Sequence, residues 1–123
     1  MREIKFRAWD RVEKKMIQVY SLSWKYPSGF EINNSDAIMY DLMQYTGFKD
    51  KNGREIYEGD IVKGFYRNKE IIDKVIWWEK GCGWYVGYDD EEKCNVTALC
   101  ALEDIEVIGN IYENPELLKE DEK

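Results

Sequence analysis

The chain has 123 residues, 44% of them apolar and 15% aromatic, which suffices for a packed core in one domain or two small subdomains. Its net charge of −7 opposes non-specific binding to nucleic-acid phosphates and to anionic membranes. The sequence contains no histidine, so the commonest general acid–base group and the commonest transition-metal ligand are both missing.

The N-terminal part of the chain predicts a group of β-strands. Residues 2–9 alternate polar and apolar side chains, as in a half-buried strand, and a second strand over 16–22 would complete a hairpin. Turns are expected at residues 26–29 and 33–36. Residues 37–45 fit either a capped helix or a strand, and we favour the strand because β-rich sequence follows.

The C-terminal part predicts a small barrel that begins after a hairpin turn. Asn52-Gly53 is the clearest turn, because both residue types tolerate the positive φ that a type I′ hairpin requires. Five further strands are expected, at residues 61–66, 71–78, 84–88, 96–102 and 105–111. Asn114 and Pro115 suit the cap and first position of a short C-terminal helix.

These elements predict a mainly β protein. An N-terminal β subdomain, residues 1–46, is expected to pack on an SH3-like small β-barrel with a short C-terminal helix, residues 47–123. Neither part alone has many core residues, so we expect one compact unit. The sequence has no membrane-span run and no signal-peptide core, and its three cysteines fit reduced, partly buried thiols. We therefore expect a cytoplasmic protein with no membrane association.

Three blocks of the sequence resemble the YopX-type conserved proteins of phages and prophages. They are Met1-Arg-Glu-Ile-Lys-Phe-Arg-Ala-Trp-Asp10, the segment 43–62 that surrounds Asn52-Gly53, and the closing segment 108–118. Their order is that of the family, and they span nearly the whole chain. The resemblance implies a phage or prophage origin and a β-rich fold that includes the SH3-like barrel. It implies no known activity, so it assigns no catalytic or binding residue.

Side chains that support catalysis elsewhere occur here in unsuitable patterns. The acidic run 89–92 and the pair Glu58 and Asp60 offer carboxylates, but they lack the ligand spacing of a calcium loop and suit solvated turns. Cys82 lies between two glycines, and only Lys80 is nearby to lower the pKa of its thiol. No glycine-rich phosphate loop is present. We expect no metal, no cofactor and no enzymatic activity.

Aromatic residues on two strands expected to pair form the best candidate binding surface. Adjacent strand residues face opposite sides of a sheet, so Trp77 and Trp78 cannot both enter one core. One of them must pack on a second layer, on a partner or in solvent, and the N-terminal subdomain is an equally good cover. The candidate interaction surface comprises Trp77, Trp78, Trp84, Tyr85 and Tyr88. It would bind a protein partner or a second copy, and an acidic chain suits a basic partner.

Nucleic-acid binding is the alternative hypothesis. The same aromatic side chains could stack on single-stranded bases, a mode that also needs a basic groove. The candidate contacts are Lys63, Arg67, Lys69 and Lys74. The net charge and the acidic run 89–92 oppose this function. We therefore favour a non-enzymatic protein-interaction module.

Overall fold

Short antiparallel strands dominate the computed structural model, which describes residues 3–24, 29–90 and 92–118. Within these residues no helix reaches seven residues, which confirms the mainly β prediction. The chain divides into two units, residues 1–45 and 46–123.

The first unit contains two small groups of paired strands. Its elements are β1 (Phe6–Asp10), β2 (Lys15–Gln18), β3 (Leu22–Trp24), β4 (Phe30–Ile32), β5 (Ser35–Asp36), a 3-10 turn (Ala37–Met39) and the first part of β6 (Tyr40–Lys49). β1 pairs antiparallel with β2 on one side and with β6 on the other, and β3, β4 and β5 form a separate sheet. Ala8, Ile32 and Ala37 form the buried centre of this unit.

The predicted N-terminal hairpin is confirmed as β1 and β2, although β2 ends at Gln18 rather than at residue 22. Residues 37–45 combine both alternatives. A 3-10 turn comes first, and Asp36 caps it by accepting a hydrogen bond from the Ile38 amide at 3.0 Å, before β6 begins. The turn expected at 26–29 lies largely outside the described residues.

The second unit is built on five strands that follow β7 (Glu55–Tyr57). They are β8 (Asp60–Tyr66), β9 (Lys69–Trp78), β10 (Gly83–Asp89), β11 (Cys94–Ala98) and β12 (Glu103–Asn110). Their order in the sheet is β11-β10-β9-β8-β12, all pairs are antiparallel, and the sheet curls into a half-barrel. Its buried core comprises Ile56, Val62, Val75, Val86, Leu99, Leu102 and Val107.

The turn at Asn52-Gly53 differs from the prediction. Gly53 has a φ of +83°, but Asn52 does not have a positive φ, so the type I′ assignment was wrong. The Gly53 amide donates to the Asp50 carbonyl at 2.9 Å, and the Asp50 amide donates to the Arg54 carbonyl at 2.8 Å. This pattern is a three-residue loop with glycine in the left-handed position. Two-residue turns with positive φ at both positions occur instead at Asn33-Asn34 and Arg67-Asn68.

The predicted short C-terminal helix is not confirmed. Pro115–Leu117 form a single 3-10 turn, after which Leu118 is extended, and residues 119–123 lie outside the described residues. Asn114 does not cap a helix with its side chain. Its carboxamide oxygen instead accepts a hydrogen bond from the Asn110 amide at 3.2 Å and makes no capping bond to the turn that follows. The segment is therefore a corner rather than a helix start.

Candidate functional site

The predicted aromatic surface divides between the two faces of the β9–β10 pair. Trp84 lies opposite Trp77 in the ladder, and their ring centroids are 5.3 Å apart at an interplanar angle of 77°. Trp84 packs against the core of the second unit, whereas Trp77 is 49% exposed. These two rings therefore lie on the core-facing side of the sheet, and Trp77 lies at the exposed edge of that side.

Trp78 and Tyr85 lie on the opposite face, as the alternation of strand residues requires. Their ring centroids are 4.8 Å apart and the rings meet edge to face at 72°. Gly81 allows this close packing, because a Cβ at that position would lie 2.6 Å from both rings.

An open groove of about 560 Å³, which we call the aromatic groove, runs beside Trp78. Its lining includes Lys74, Ile76, Trp77, Trp78, Lys80, Tyr88 and Asp89, so the exposed Trp77 also reaches it. Trp78, Tyr88 and Asp89 are only half-buried, so the groove presents aromatic, apolar and charged atoms together. Such a combination suits recognition of a macromolecular segment better than a closed catalytic pocket.

Asp89 fixes the Trp78 indole at one side of the groove. The indole Nε1 donates to Asp89 Oδ2 at 2.6 Å, and Lys80 Nζ lies 3.5 Å from the same oxygen. The indole donor and the Lys80 charge outweigh desolvation and hold the pKa of Asp89 below its ordinary value. Asp89 therefore remains ionised at neutral pH, and the groove is pre-organised around a charged hydrogen bond.

Lys74 occupies another part of the groove. Its ammonium lies 5.7 Å from the centroid of the Tyr88 ring, within the range of a cation–π interaction. Glu79, Asp89 and Asp90 also line the groove, so its carboxylates outnumber the ammonium groups of Lys74 and Lys80. The groove therefore has a slight negative balance.

The four cations of the nucleic-acid hypothesis do not gather in one groove. Lys63 forms an ion pair with Glu70 at 3.8 Å, and the Arg67 guanidinium lies 5.1 Å from the centroid of the Tyr66 ring. Lys69 pairs with Tyr66 in the ladder, whereas Lys63 pairs with Ile72, so Lys69 and Lys63 project from opposite faces of the hairpin. Only Lys74 lies in the aromatic groove.

The carboxylates considered for metal binding have structural roles. Asp60 is 1% exposed and its Oδ2 accepts a hydrogen bond from the Tyr57 amide at 2.8 Å. Asp90 Oδ1 accepts from the amides of Glu92 and Lys93. Across the described ranges, no three acidic, histidine or cysteine side chains are grouped so that they could hold a metal ion.

The three cysteines are free and exposed, not partly buried as expected. Cys82 Sγ donates to the Glu79 carbonyl at 3.4 Å, within the turn between β9 and β10. Desolvation and the nearby Asp89 carboxylate raise the pKa of the Cys94 thiol, which makes it a weaker nucleophile at neutral pH. None of the helical turns in the described part of the chain has the length and apolar character needed to cross a bilayer.

Sequence reasoning missed part of the groove. Ile76, Lys80 and Asp89 were absent from the predicted surface, although alternation places Ile76 on the same face as Trp78. Lys80 lies in the turn after β9, and Asp89 lies at the end of β10. The sequence alone did not show that these two side chains would meet. Their meeting depends on the 3-10 turn Glu79–Gly81 and on the left-handed conformation of Cys82, which has a φ of 50°.

Comparison with known proteins agrees with the resemblance of the three sequence blocks. The model of the family described as YopX protein matches residues 5–119. The crystal structure of protein EF1440 from Enterococcus faecalis is 30% identical, with a TM-score of 0.62 over 97% of this chain and 100% of that one. The X-ray structure of protein yopX from Bacillus subtilis is 27% identical, with a TM-score of 0.61 and the same coverage. No curated protein matches the chain. With a family model that covers almost its whole length, the chain belongs to the YopX family.

Proposed function

We propose that the protein is a non-enzymatic interaction module of phage or prophage origin, which works in the cytoplasm of the bacterial host. The observation that carries this proposal is the aromatic groove, where half-buried Trp78 and Tyr88 lie beside charged side chains on the β9–β10 hairpin. Tyr and Trp are enriched in protein interfaces because they combine a large apolar area with a polar tip.

We further propose that the five strands β8–β12 form an SH3-like barrel. The first of these strands pairs with both the second and the fifth, and the remaining pairs are consecutive hairpins. A 3-10 turn, Leu99–Ala101, connects the fourth strand to the fifth. Barrels of this kind carry many unrelated functions, so the fold by itself indicates no activity.

The partner that the groove fits best is a basic segment of another protein. The chain carries a net charge of −7, and Glu79, Asp89 and Asp90 line the groove. Complementary charge steers association and selects among partners, while the aromatic rings supply apolar contact area.

Binding of single-stranded nucleic acid is the alternative. Lys74 over the Tyr88 ring, close to Trp78, is an arrangement that could stack a base and contact a phosphate. The scattered positions of Lys63, Arg67 and Lys69, together with the net charge, count against it.

Selection of peptides from a random display library on the immobilised protein tests the proposal. We expect basic, aromatic-containing peptides whose affinity falls at least tenfold in Tyr88→Ala and in Trp78→Phe, which removes the hydrogen bond to Asp89. Trp24→Ala is the matched control, because Trp24 is 85% exposed and lies outside the groove. Equal affinity in all three variants would contradict the proposal. Tighter binding of a short single-stranded DNA in low salt would favour the alternative.

A further inference from the structure

A second pocket, of about 460 Å³, has no lining residue in common with the aromatic groove. It opens at the end of the sheet where the β8–β9 and β10–β11 turns lie, and we call it the mouth pocket. Its lining includes Tyr66, Ile71, Asp73, Val86, Asn95 and Thr97.

Strand register places Asp73 and Thr97 of this pocket on the core-facing side of the sheet. Asp73 lies opposite Val62, and Thr97 lies opposite Val86, so both polar residues share a face with buried core valines. Tyr66 and Ile71 pack against the same core. Open ends of small barrels are common positions for ligand sites.

Asp73 is the unusual residue of the mouth pocket. It is only 6% exposed, and its Oδ1 accepts a hydrogen bond from the adjacent Lys74 amide at 2.8 Å. Among the described residues no lysine or arginine forms an ion pair with it. A buried carboxylate is costly unless a positive charge or several hydrogen-bond donors compensate it.

Nearby cations do not supply this compensation. Lys69 lines the rim of the pocket but lies four residues along the same strand, a separation of about 13 Å between Cα atoms. Lys74 follows Asp73 directly, so its side chain projects from the other face, where it lies over Tyr88.

We propose that the mouth pocket binds an organic cation, a primary ammonium or a guanidinium group, through the carboxylate of Asp73. Ile71 and Val86 would contact an alkyl stem, and Thr97 offers a hydroxyl acceptor, whereas the Tyr66 ring already carries the Arg67 guanidinium. A hard metal ion fits poorly, because it needs several oxygen ligands and the second carboxylate that lines the pocket, Glu70, is paired with Lys63 at 3.8 Å.

Two sources can present this cation: a free amine, or a lysine or arginine side chain of a protein. Isothermal titration of the full chain with agmatine, and with a blocked pentapeptide that carries one central arginine, separates them. Affinity at least tenfold higher for the peptide assigns a protein side chain, and the reverse order assigns a small molecule.

The decisive variant is Asp73→Asn, which keeps the shape of the side chain and removes its charge. We expect it to lower the affinity for both probes at least tenfold, while its melting temperature equals or exceeds that of the parent protein. Asp104→Asn makes the same charge change at an exposed position outside the pocket, and should leave the affinity within twofold.

The inference is overturned if neither probe binds at 10 mM, or if Asp73→Asn binds both probes as well as the parent does. Tyr88→Ala keeps this test separate from the proposed function. It alters the aromatic groove alone, so agmatine binding should survive in it even where peptide binding to the groove is lost.

Discussion

Two buried polar side chains in this protein, Asp50 and Asn110, serve the backbone at turns. Asp50 and Asn110 are 7% and 6% exposed, and each accepts hydrogen bonds from several backbone amides. Both residues lie in sequence blocks by which the chain resembles its family, 43–62 and 108–118. These blocks therefore contain residues whose side chains stabilise turns, which explains why the blocks indicate a fold and no reaction.

Asp50 joins the Asn52-Gly53 loop to β12. Its Oδ1 accepts from the amides of Asn52 and Arg54, each at 2.9 Å, and its Oδ2 accepts from the Val107 amide at 3.0 Å. Burial alone would raise the pKa of Asp50. The amide donors of Val107, Arg54 and Asn52 and the Arg54 charge outweigh burial, and together they lower this pKa below its ordinary value.

A carboxylate whose pKa is lowered by folding stabilises the folded state above the unfolded pKa, and this contribution disappears as the pH falls through the folded pKa. We expect Asp50→Asn to lower the free energy of unfolding at pH 7 by about 1–3 kcal/mol, because its amide nitrogen cannot accept a hydrogen bond. The difference from the parent protein should shrink below pH 4. Urea unfolding at pH 7, 5 and 3.5 measures both effects.

Asp90→Asn is the control for this substitution. Asp90 also accepts from two backbone amides, but it is exposed and its bonds stay within one turn. Its substitution should change the free energy of unfolding by less than about 0.5 kcal/mol. Equal losses of unfolding free energy in both variants would show that the hydrogen bond from Val107 to Asp50 adds no measurable stability.

At the scale of elements, period-two patterns predicted the structure well and turn types less well. The alternation that separates Trp77 from Trp78 needs only neighbouring residues, and the structure has the two rings on opposite faces. The loop at Asn52-Gly53 is set by a distant strand. The Lys51 amide donates to the Ile105 carbonyl and Asp50 accepts from Val107, contacts that no local sequence signal contains.

Substitutions at Gly53 test the three-residue geometry of the Asn52-Gly53 loop. Its φ is +83° and a Cβ would meet nothing within 4 Å, so a substitution there acts through backbone strain alone. We expect Gly53→Val to cost about 1–3 kcal/mol of unfolding free energy, and Gly53→Asn to cost much less because asparagine tolerates this conformation. Thermal unfolding measures both. Asn52→Val is the control for the neighbouring turn position, and a cost equal to that of Gly53→Val would restore the type I′ assignment.

Gly87 tests the pairing of β10 with β11. A Cβ there would lie 1.9 Å from the Asn95 carbonyl oxygen, and its φ is +138°. We therefore expect Gly87→Ala to cost at least about 2 kcal/mol, since backbone must move to accommodate it. Gly83→Ala on the same strand is the control, because its Cβ would meet atoms no closer than 3.7 Å. Denaturant unfolding that shows equal stability for the two variants would contradict this packing.

At the scale of the whole molecule, composition leads to the prediction of a non-enzymatic interaction protein and does not locate its binding sites. Charge, aromatic content and the missing histidine argued against catalysis and for an interaction surface. The sequence did not predict the mouth pocket, because Asp73 lies within an ordinary strand sequence and is buried only through its register with Val62. Registers between strands are long-range properties, and a pattern within one strand does not contain them.

Net charge also decides what can occupy the aromatic groove. Two copies that each carry −7 repel one another at neutral pH, so added salt would strengthen an interface between copies. A basic partner is attracted, and added salt would weaken its binding. We expect a basic peptide selected on the groove to bind on the order of tenfold more weakly at 300 mM than at 20 mM salt, because screening removes the attraction. Fluorescence anisotropy measures that affinity, and analytical ultracentrifugation should find a monomer at both concentrations. A dimer that tightens with salt and is lost in Tyr88→Ala would show instead that a second copy fills the groove.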